Sequence, residues 1–310
     1  MATGAVASSG KTGHIDAAGA ARDEPEKRRP LSHRPAALAG LLPELGRRTL
    51  VMGILNVTPD SFSDGGRFVG EEAACRQADA LAAEGAALVD IGGESTRPGH
   101  VPVPAEEEQA RVLPAIRALA NRLSVPISID TYKASTAESA LAAGARIVND
   151  VWGLQREPDI ALVAADHGAP VMIMHNRETI DAGLDIVSDM LRFFEVSLGI
   201  ARRAGIPDGD IVLDPGIGFG KSWNQHLEAL RRLPEIRALG FPILVGVSRK
   251  SLLGRLHDRE TAPADRLNGS LAAHALAATL GADIVRVHDV AAHVDAMRVV
   301  DAVLRPGDRR

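Results

Sequence analysis

The chain has 310 residues, 45% of them hydrophobic and 24% charged, and carries a net charge of −5. That balance excludes a basic nucleic-acid surface and a patch for anionic membranes. The single Cys75 can form no internal disulfide, and no apolar run reaches the ~20 residues that span a bilayer, so a soluble, cytoplasmic protein is expected.

Residues 1–46 are rich in Ala, Gly, Ser, Pro and charge, with almost no large apolar side chain before Leu38. Such a stretch cannot bury enough surface to fold alone and is read as a disordered N-terminal tail. It lacks the continuous apolar core of a signal peptide, and Asp16, Asp23, Glu24 and Glu26 are out of place in a transit peptide. Removing residues 1–40 is therefore expected to leave stability and activity almost unchanged. One domain over 47–305 follows, then a short C-terminal tail, 306–310.

From Thr49 onward, short aliphatic runs alternate with Ala-, Leu- and Arg-rich helical stretches. Strands are predicted at Leu50–Leu55, Ala87–Ile91, Ile127–Ile129 and Arg146–Val148, then at Val171–Met174, Ile211–Leu213, Ile243–Val245 and Ile284–Val287. Their near-continuous apolar character fits strands covered on both faces of a parallel sheet. Helices are predicted over Glu71–Ala83, Ala105–Arg122, Ser135–Ala143, Asp185–Ala204, Leu227–Leu239, Pro263–Leu280 and Ala291–Val303. Eight strand–helix units predict an α/β fold, a single-domain (β/α)8 TIM barrel; a doubly wound sheet is the alternative.

In such a barrel the chemistry sits at the C-terminal ends of the strands. Polar residues collect there: Asn56 after strand one, Asp90 and Glu94–Arg97 at strand two, Asp130 at three, Asn149 at four, His175 at five and Asp214 at six. Ser248, Arg249 and Lys250 follow strand seven, and Arg286, His288 and Asp289 belong to strand eight. A single residue of this kind is usually a helix cap or turn former. All eight strand ends together describe a polar mouth.

Several motifs fail their tests. In DPGIGFGKS, Asp214–Ser222, only three residues separate Gly216 from Gly220, so it is not a Walker A loop; Lys221 stands where a dinucleotide fingerprint needs glycine. There is no HExxH or CxxC pair for a protein-built zinc site and no GxSxG elbow. Cys75 falls in an outer helix, where a packed thiol is the ordinary reading. Covalent catalysis therefore has no obvious agent.

GILNVTPDSFSDGG at Gly53–Gly66, DIGGESTRPG at Asp90–Gly99, SIDTYK, VNDV, DPGIGFGKS, VGVSRKSLLG and RVHDV stand in order along the chain. In content and strand position they resemble the dihydropteroate synthases, over about Leu50–Val303. MHNRE at Met174–Glu178 and Trp223–Asn224 depart from the usual pattern and bear on local pocket shape.

The resemblance implies condensation of 6-hydroxymethyl-7,8-dihydropterin diphosphate with p-aminobenzoate, with Mg²⁺, by a homodimer. It assigns Asp214, Asn149 and Asp130 to the pterin, with Lys250 between pterin and second substrate. Asn56 is matched to the metal, and Thr96, Arg286 and His288 to the diphosphate end. Arg97, Pro98, Phe219 and Ser251 match the p-aminobenzoate pocket, Asp90 the substrate-binding set, and Asp64 the stabilisation of a cationic intermediate; Asp64, Lys250 and Arg97 form its catalytic group. A methyltetrahydrofolate methyltransferase or a non-catalytic pterin-binding paralogue would share only part of this set.

Overall fold

The computed structural model describes Met1 and residues 36–58, 66–95, 101–256 and 261–305. The strands are β1 (Leu50–Asn56), β2 (Leu88–Gly92), β3 (Ile127–Asp130), β4 (Ile147–Asp150), β5 (Val171–Met174), β6 (Ile211–Asp214), β7 (Leu244–Val245) and β8 (Ile284–Val287). All pair in parallel in the order β6-β5-β4-β3-β2-β1-β8-β7. A bridge between Leu213 and Ile243 joins the two edges, so the sheet curls into a barrel rather than lying open. The doubly wound alternative is excluded.

Around it run α2 (Gly66–Ala83), α3 (Ala105–Leu119), α4 (Ala134–Ala143), α5 (Asp159–His167), α6 (Ile186–Ala204), α7 (Trp223–Arg231), α8 (Leu233–Arg237), α9 (Ser251–Gly254), α10 (Leu267–Thr279) and α11 (Val290–Leu304), while α1 (Ala37–Leu41) precedes β1. The helix α5 is not among those predicted, although Asp159 in its first turn, His167 in its last and Gly168 at its left-handed C-cap are helix-end signals. The predicted helix Leu227–Leu239 is two helices, because Pro234 lacks an N–H and crowds the preceding turn. Pro263 likewise opens a 3₁₀ turn before α10.

Alternation along each strand sorts its side chains. Val51, Val89, Ile129, Val148, Ile173, Leu213 and Val285 face the helices and join the larger core. Leu50, Met52, Leu88, Ile147, Met172, Val212, Leu244 and Ile284 form a second apolar cluster that fills the base of the barrel. One pleat further along come Asp90, Asn149, Asp214 and Arg286. The interior is thus apolar at the N-terminal ends of the strands and polar at the C-terminal ends.

The domain begins earlier than residue 47. Leu38 and Leu42 are 1% and 2% exposed and belong to the basal cluster. The Leu38 N–H donates to Asp210 Oδ1 at 2.8 Å. Two leucines four residues apart lie on one face of a helical turn, and here that face closes the barrel floor. A cut at residue 40 therefore removes a core side chain. The expected disorder of residues 2–35, and the short tail 306–310, lie outside the described residues.

Candidate active site

Asp90 is wholly buried in the middle of β2. Its carboxylate accepts from Ser128 Oγ at 2.5 Å, Asn149 Nδ2 at 3.1 Å and Arg286 Nε at 2.6 Å. Shared in this way, it holds Asn149 and Arg286 in place rather than presenting a free acceptor to a ligand. Ser128 was not foreseen as part of this set; it lies two residues before Asp130 and hence on the same face of β3, which is the signal that could have found it.

Arg286 also donates to Asp130 Oδ2 at 2.7 Å. The second oxygen of Asp130 is buried with no hydrogen-bond partner. Burial raises this carboxyl to about 7, against the pull of Arg286. A buried, unpartnered acceptor costs free energy unless something fills it, about 1–3 kcal/mol in typical cases. Asp130 is therefore built to receive a donor.

Asp214 ends β6 at 5% exposure, with Oδ1 accepting from the Gly216 N–H at 2.7 Å. Burial raises its pKa. The Gly-rich loop that follows is shaped by close approach. At Gly216, φ is +64°, and a Cβ there would overlap the His175 carbonyl oxygen; at Gly218, φ is +95°, and a Cβ would meet Lys250 Cδ at 2.6 Å. Lys221, 3% exposed, ties this loop by donating to the carbonyls of His175 at 3.2 Å, Gly216 at 2.9 Å and Phe219 at 3.1 Å. The sequence reading saw Lys221 only as a failed glycine; its structural task is legible only in three dimensions.

Lys250 extends over the Phe219 ring, its Nζ 4.4 Å from the centroid, and donates to the Ile217 carbonyl. Burial lowers its pKa to about 8. Ser248 Oγ accepts from the His288 N–H at 3.1 Å and lies 3.0 Å from His288 Nδ1. Asn56 is half-buried at the end of β1, and Ser251 is exposed at the start of α9. Asn149, Asp130, Asp214, Phe219, Lys250, Arg286 and His288 therefore converge on the C-terminal end of the barrel.

Asp64, Thr96, Arg97 and Pro98 lie outside the described residues. The root of their second loop is described. Lys133 Nζ donates to both Glu94 and Glu108, and Glu94 also accepts from the Val103 N–H at 3.3 Å and Tyr132 at 3.4 Å. Arg111 holds the Gly93 carbonyl at 2.7 Å. His175, at the end of β5, is wholly buried and bonded through Nε2 to Asp189 at 3.2 Å. Burial lowers it to about 3, and its ring packs edge-on against Phe193 and Phe194 of α6, so this polar strand end faces the helix layer and not the mouth.

At the opposite end lies a hollow of about 420 Å³, lined by Leu38, Leu42, Pro43, Arg202, Asp208 and Phe241 among others. Its charged pair, Arg202 and Asp208, is joined to itself at 2.8 and 2.9 Å. The chemistry belongs to the other end.

Among the described residues no cluster of three His, Cys, Asp or Glu side chains could hold a metal ion. A magnesium ion at the mouth would lean on substrate oxygens and water, with few ligands from the protein, which is ordinary for that ion. Asn56 fits such a role: a neutral amide on a half-buried side chain at the end of β1.

The pterin binding enzyme family model matches residues 52–288. Dihydropteroate synthase of Synechocystis is 47% identical over 278 residues, covering 87% of this chain and 96% of the relative. The crystal structure of dihydropteroate synthase from Clostridium difficile in the presence of pteroic acid superposes with a TM-score of 0.82 at 48% identity, covering 84% of this chain and 99% of that one. The Xanthomonas albilineans enzyme with 4-aminobenzoic acid gives 0.79 at 47%, covering 83% and 94%. By its barrel, its polar mouth and these likenesses, the chain belongs to the pterin-binding enzyme family, among the dihydropteroate synthases.

Proposed function

We infer that this chain condenses 6-hydroxymethyl-7,8-dihydropterin diphosphate with p-aminobenzoate to give 7,8-dihydropteroate and pyrophosphate. The observation that carries the reading is the set of buried acceptors at the mouth. Asp130 keeps one oxygen without a partner, Asp214 is held by a single backbone N–H, and Asn149 sits between them in chain order. An amino-pyrimidinone ring offers adjacent donors that a carboxylate can take together, and an amide reads its mixed edge. Relatives hold pteroic acid and 4-aminobenzoic acid.

The C–O bond of the hydroxymethyl diphosphate breaks, and pyrophosphate leaves with the electron pair. The arylamine nitrogen attacks the methylene cation and then loses a proton. No nucleophile from the protein is needed; positioning and charge stabilisation suffice. Arg286 and His288 receive the diphosphate, Lys250 borders the pterin, and Phe219 with Ser251 walls the second substrate. Arg97, Pro98, Thr96 and Asp64 complete the site from the two loops. Asn56 would hold magnesium, which when bound offsets charge on the departing pyrophosphate.

Incubating the pure protein with pterin diphosphate, p-aminobenzoate and Mg²⁺ should yield dihydropteroate; no product would sink the reading. Asp214→Asn turns one acceptor into a donor facing donors and removes a charge-assisted bond of roughly 1.5–3 kcal/mol. Pterin affinity should fall about ten- to a hundredfold, measured by calorimetry, with p-aminobenzoate less affected. The protein acts in the cytoplasm in this reading, as a homodimer. Leu276 on α10 and Val299 and Val303 on α11 are 51%, 67% and 75% exposed, an apolar surface on neighbouring helices that a second copy would cover. Sedimentation at twice the chain mass is expected; the single-chain mass would overturn this part.

A further inference from the structure

Two buried histidines outside the substrate contacts connect the two loops that carry the cationic half of the site. His274 on α10 and His293 on α11 are both wholly buried. The Val247 N–H, just after β7, donates to His274 Nε2 at 3.0 Å. His274 Nδ1 lies 3.0 Å from His293 Nε2, and His293 Nδ1 lies 2.7 Å from the Asp289 carbonyl oxygen, just after β8.

One arrangement of protons satisfies all three of these links at once. His274 Nε2 accepts from a backbone N–H, so the His274 proton is on Nδ1. His274 then donates to His293 Nε2, which must be bare. His293 therefore carries its proton on Nδ1 and donates it to the Asp289 carbonyl. Both rings are neutral, and every link runs from the β7 side to the β8 side. A proton added to either ring would set two donors face to face; burial lowers both pKa values and works against that.

What the chain joins is specific. On the β7 side it fixes Val247, followed by Ser248, Arg249 and Lys250. On the β8 side it fixes Asp289, next to His288. The same two loops are tied twice more. Ser248 Oγ bonds His288, and the Arg249 guanidinium pairs with the Asp289 carboxylate, with Nε–Oδ2 at 3.0 Å. Arg249 itself sits at φ +58°, a strained conformation for a long side chain, and its N–H is held by Ser270 Oγ at 2.9 Å. Such strain persists only where the surroundings over-determine it.

We propose that His274 and His293 are positioning residues: a buried, one-directional hydrogen-bond chain that makes the Lys250 loop and the His288 loop a single rigid unit. The inference rests on the reading above for the roles of Lys250 and His288. Neither histidine touches substrate; each acts through the backbone it holds.

The test uses the full chain and two substitutions of His274. Phe keeps the bulk and loses the polar atoms, while Gln can still accept from Val247 and donate to His293. In His274→Phe, amide hydrogen exchange should quicken at least about tenfold in Val247–Lys250 and in His288–Asp289 together, with the rest of the barrel unchanged. The kcat/KM for pterin diphosphate should fall about tenfold or more in the same variant, and His274→Gln should restore both readouts. Loss of protection in the first loop alone, or a folded Phe variant with native kinetics, overturns the proposal, as does a Gln variant no better than Phe. If His274→Phe does not fold, His293→Phe makes the same comparison with the Val247–His274 bond left in place. Should the native protein make no dihydropteroate, the functional reading fails, and the exchange result still decides whether the chain couples the loops.

Discussion

At the scale of single residues, Lys250 is a side chain of the mouth whose charge changes within a testable pH range. Burial lowers its ammonium to about 8, with Asp214 pulling it up, Arg286 pushing it further down and Asp130 pulling up. It is charged below that value and neutral above it, and in the proposed reading the charged form is the stronger donor to the pterin and the one that steadies a departing diphosphate. The pH dependence of kcat/KM reports groups of the free enzyme. For pterin diphosphate the main decline should therefore come as pH rises through about 8. Lys250→Arg keeps its charge throughout and should lose this limb, at a lower absolute rate because a planar fork replaces a point charge. Lys221 complicates the profile in a recognisable way. Burial lowers it to about 7, and a neutral amine has two N–H bonds for its three carbonyl partners. A shallower decline starting near that pH should survive in Lys250→Arg. A native profile flat well beyond the Lys250 value would remove it from the rate-limiting machinery.

Elements explain what could and could not be read in advance. The eight strands were legible because each is a short apolar run bounded by helical stretches. The polar strand ends were legible for the same reason, since one carboxylate or amide stands out against aliphatic neighbours. Asp130, Asn149, Asp214 and Arg286 were found that way. The residues that brace the surrounding loops and strands were not: Ser128, Lys221 and the Lys133 cluster take their meaning from contacts across strands and loops, such as Ser128 with Asp90, 38 positions apart. The helix α5 was missed although Gly168 marks its end, and α1 because two leucines in a polar tail look like nothing until a barrel floor is there to receive them. That last element makes a prediction. Leu38 is 1% exposed against the basal cluster, and deletion of a buried leucine side chain costs about 2–5 kcal/mol. Leu38→Ala should lower the unfolding free energy by that amount in denaturant titration while leaving kcat in the native buffer unchanged, since the floor lies at the far end of the barrel from the mouth. Unaltered stability would show that α1 is not part of the fold's core.

Across the whole molecule the barrel separates stability from chemistry: an apolar floor sealed by α1, and above it a layer of charges that partly satisfy one another. Arg286 is engaged by Asp90 and Asp130, and Lys250 by a backbone carbonyl, before any ligand arrives. A small anion such as p-aminobenzoate brings too little to rearrange these pairs, and the residues that resemble its pocket, Arg97 and Pro98, belong to a glycine-rich loop. Ordering such a loop loses much conformational entropy. In the proposed reading pyrophosphate with Mg²⁺ would bring several charge-assisted contacts at once, to Arg286, His288, Thr96 and Asn56, and would offset that cost. The second substrate then meets a formed pocket, and by linkage each ligand tightens the other by the same factor. Titrating p-aminobenzoate into the free protein and into protein holding pyrophosphate and Mg²⁺ should show the affinity rising about tenfold or more in the second case, within the usual range of coupling between sites. Equal affinities would mean that the pocket stands ready without the diphosphate, and the obligatory order of binding would have to be given up.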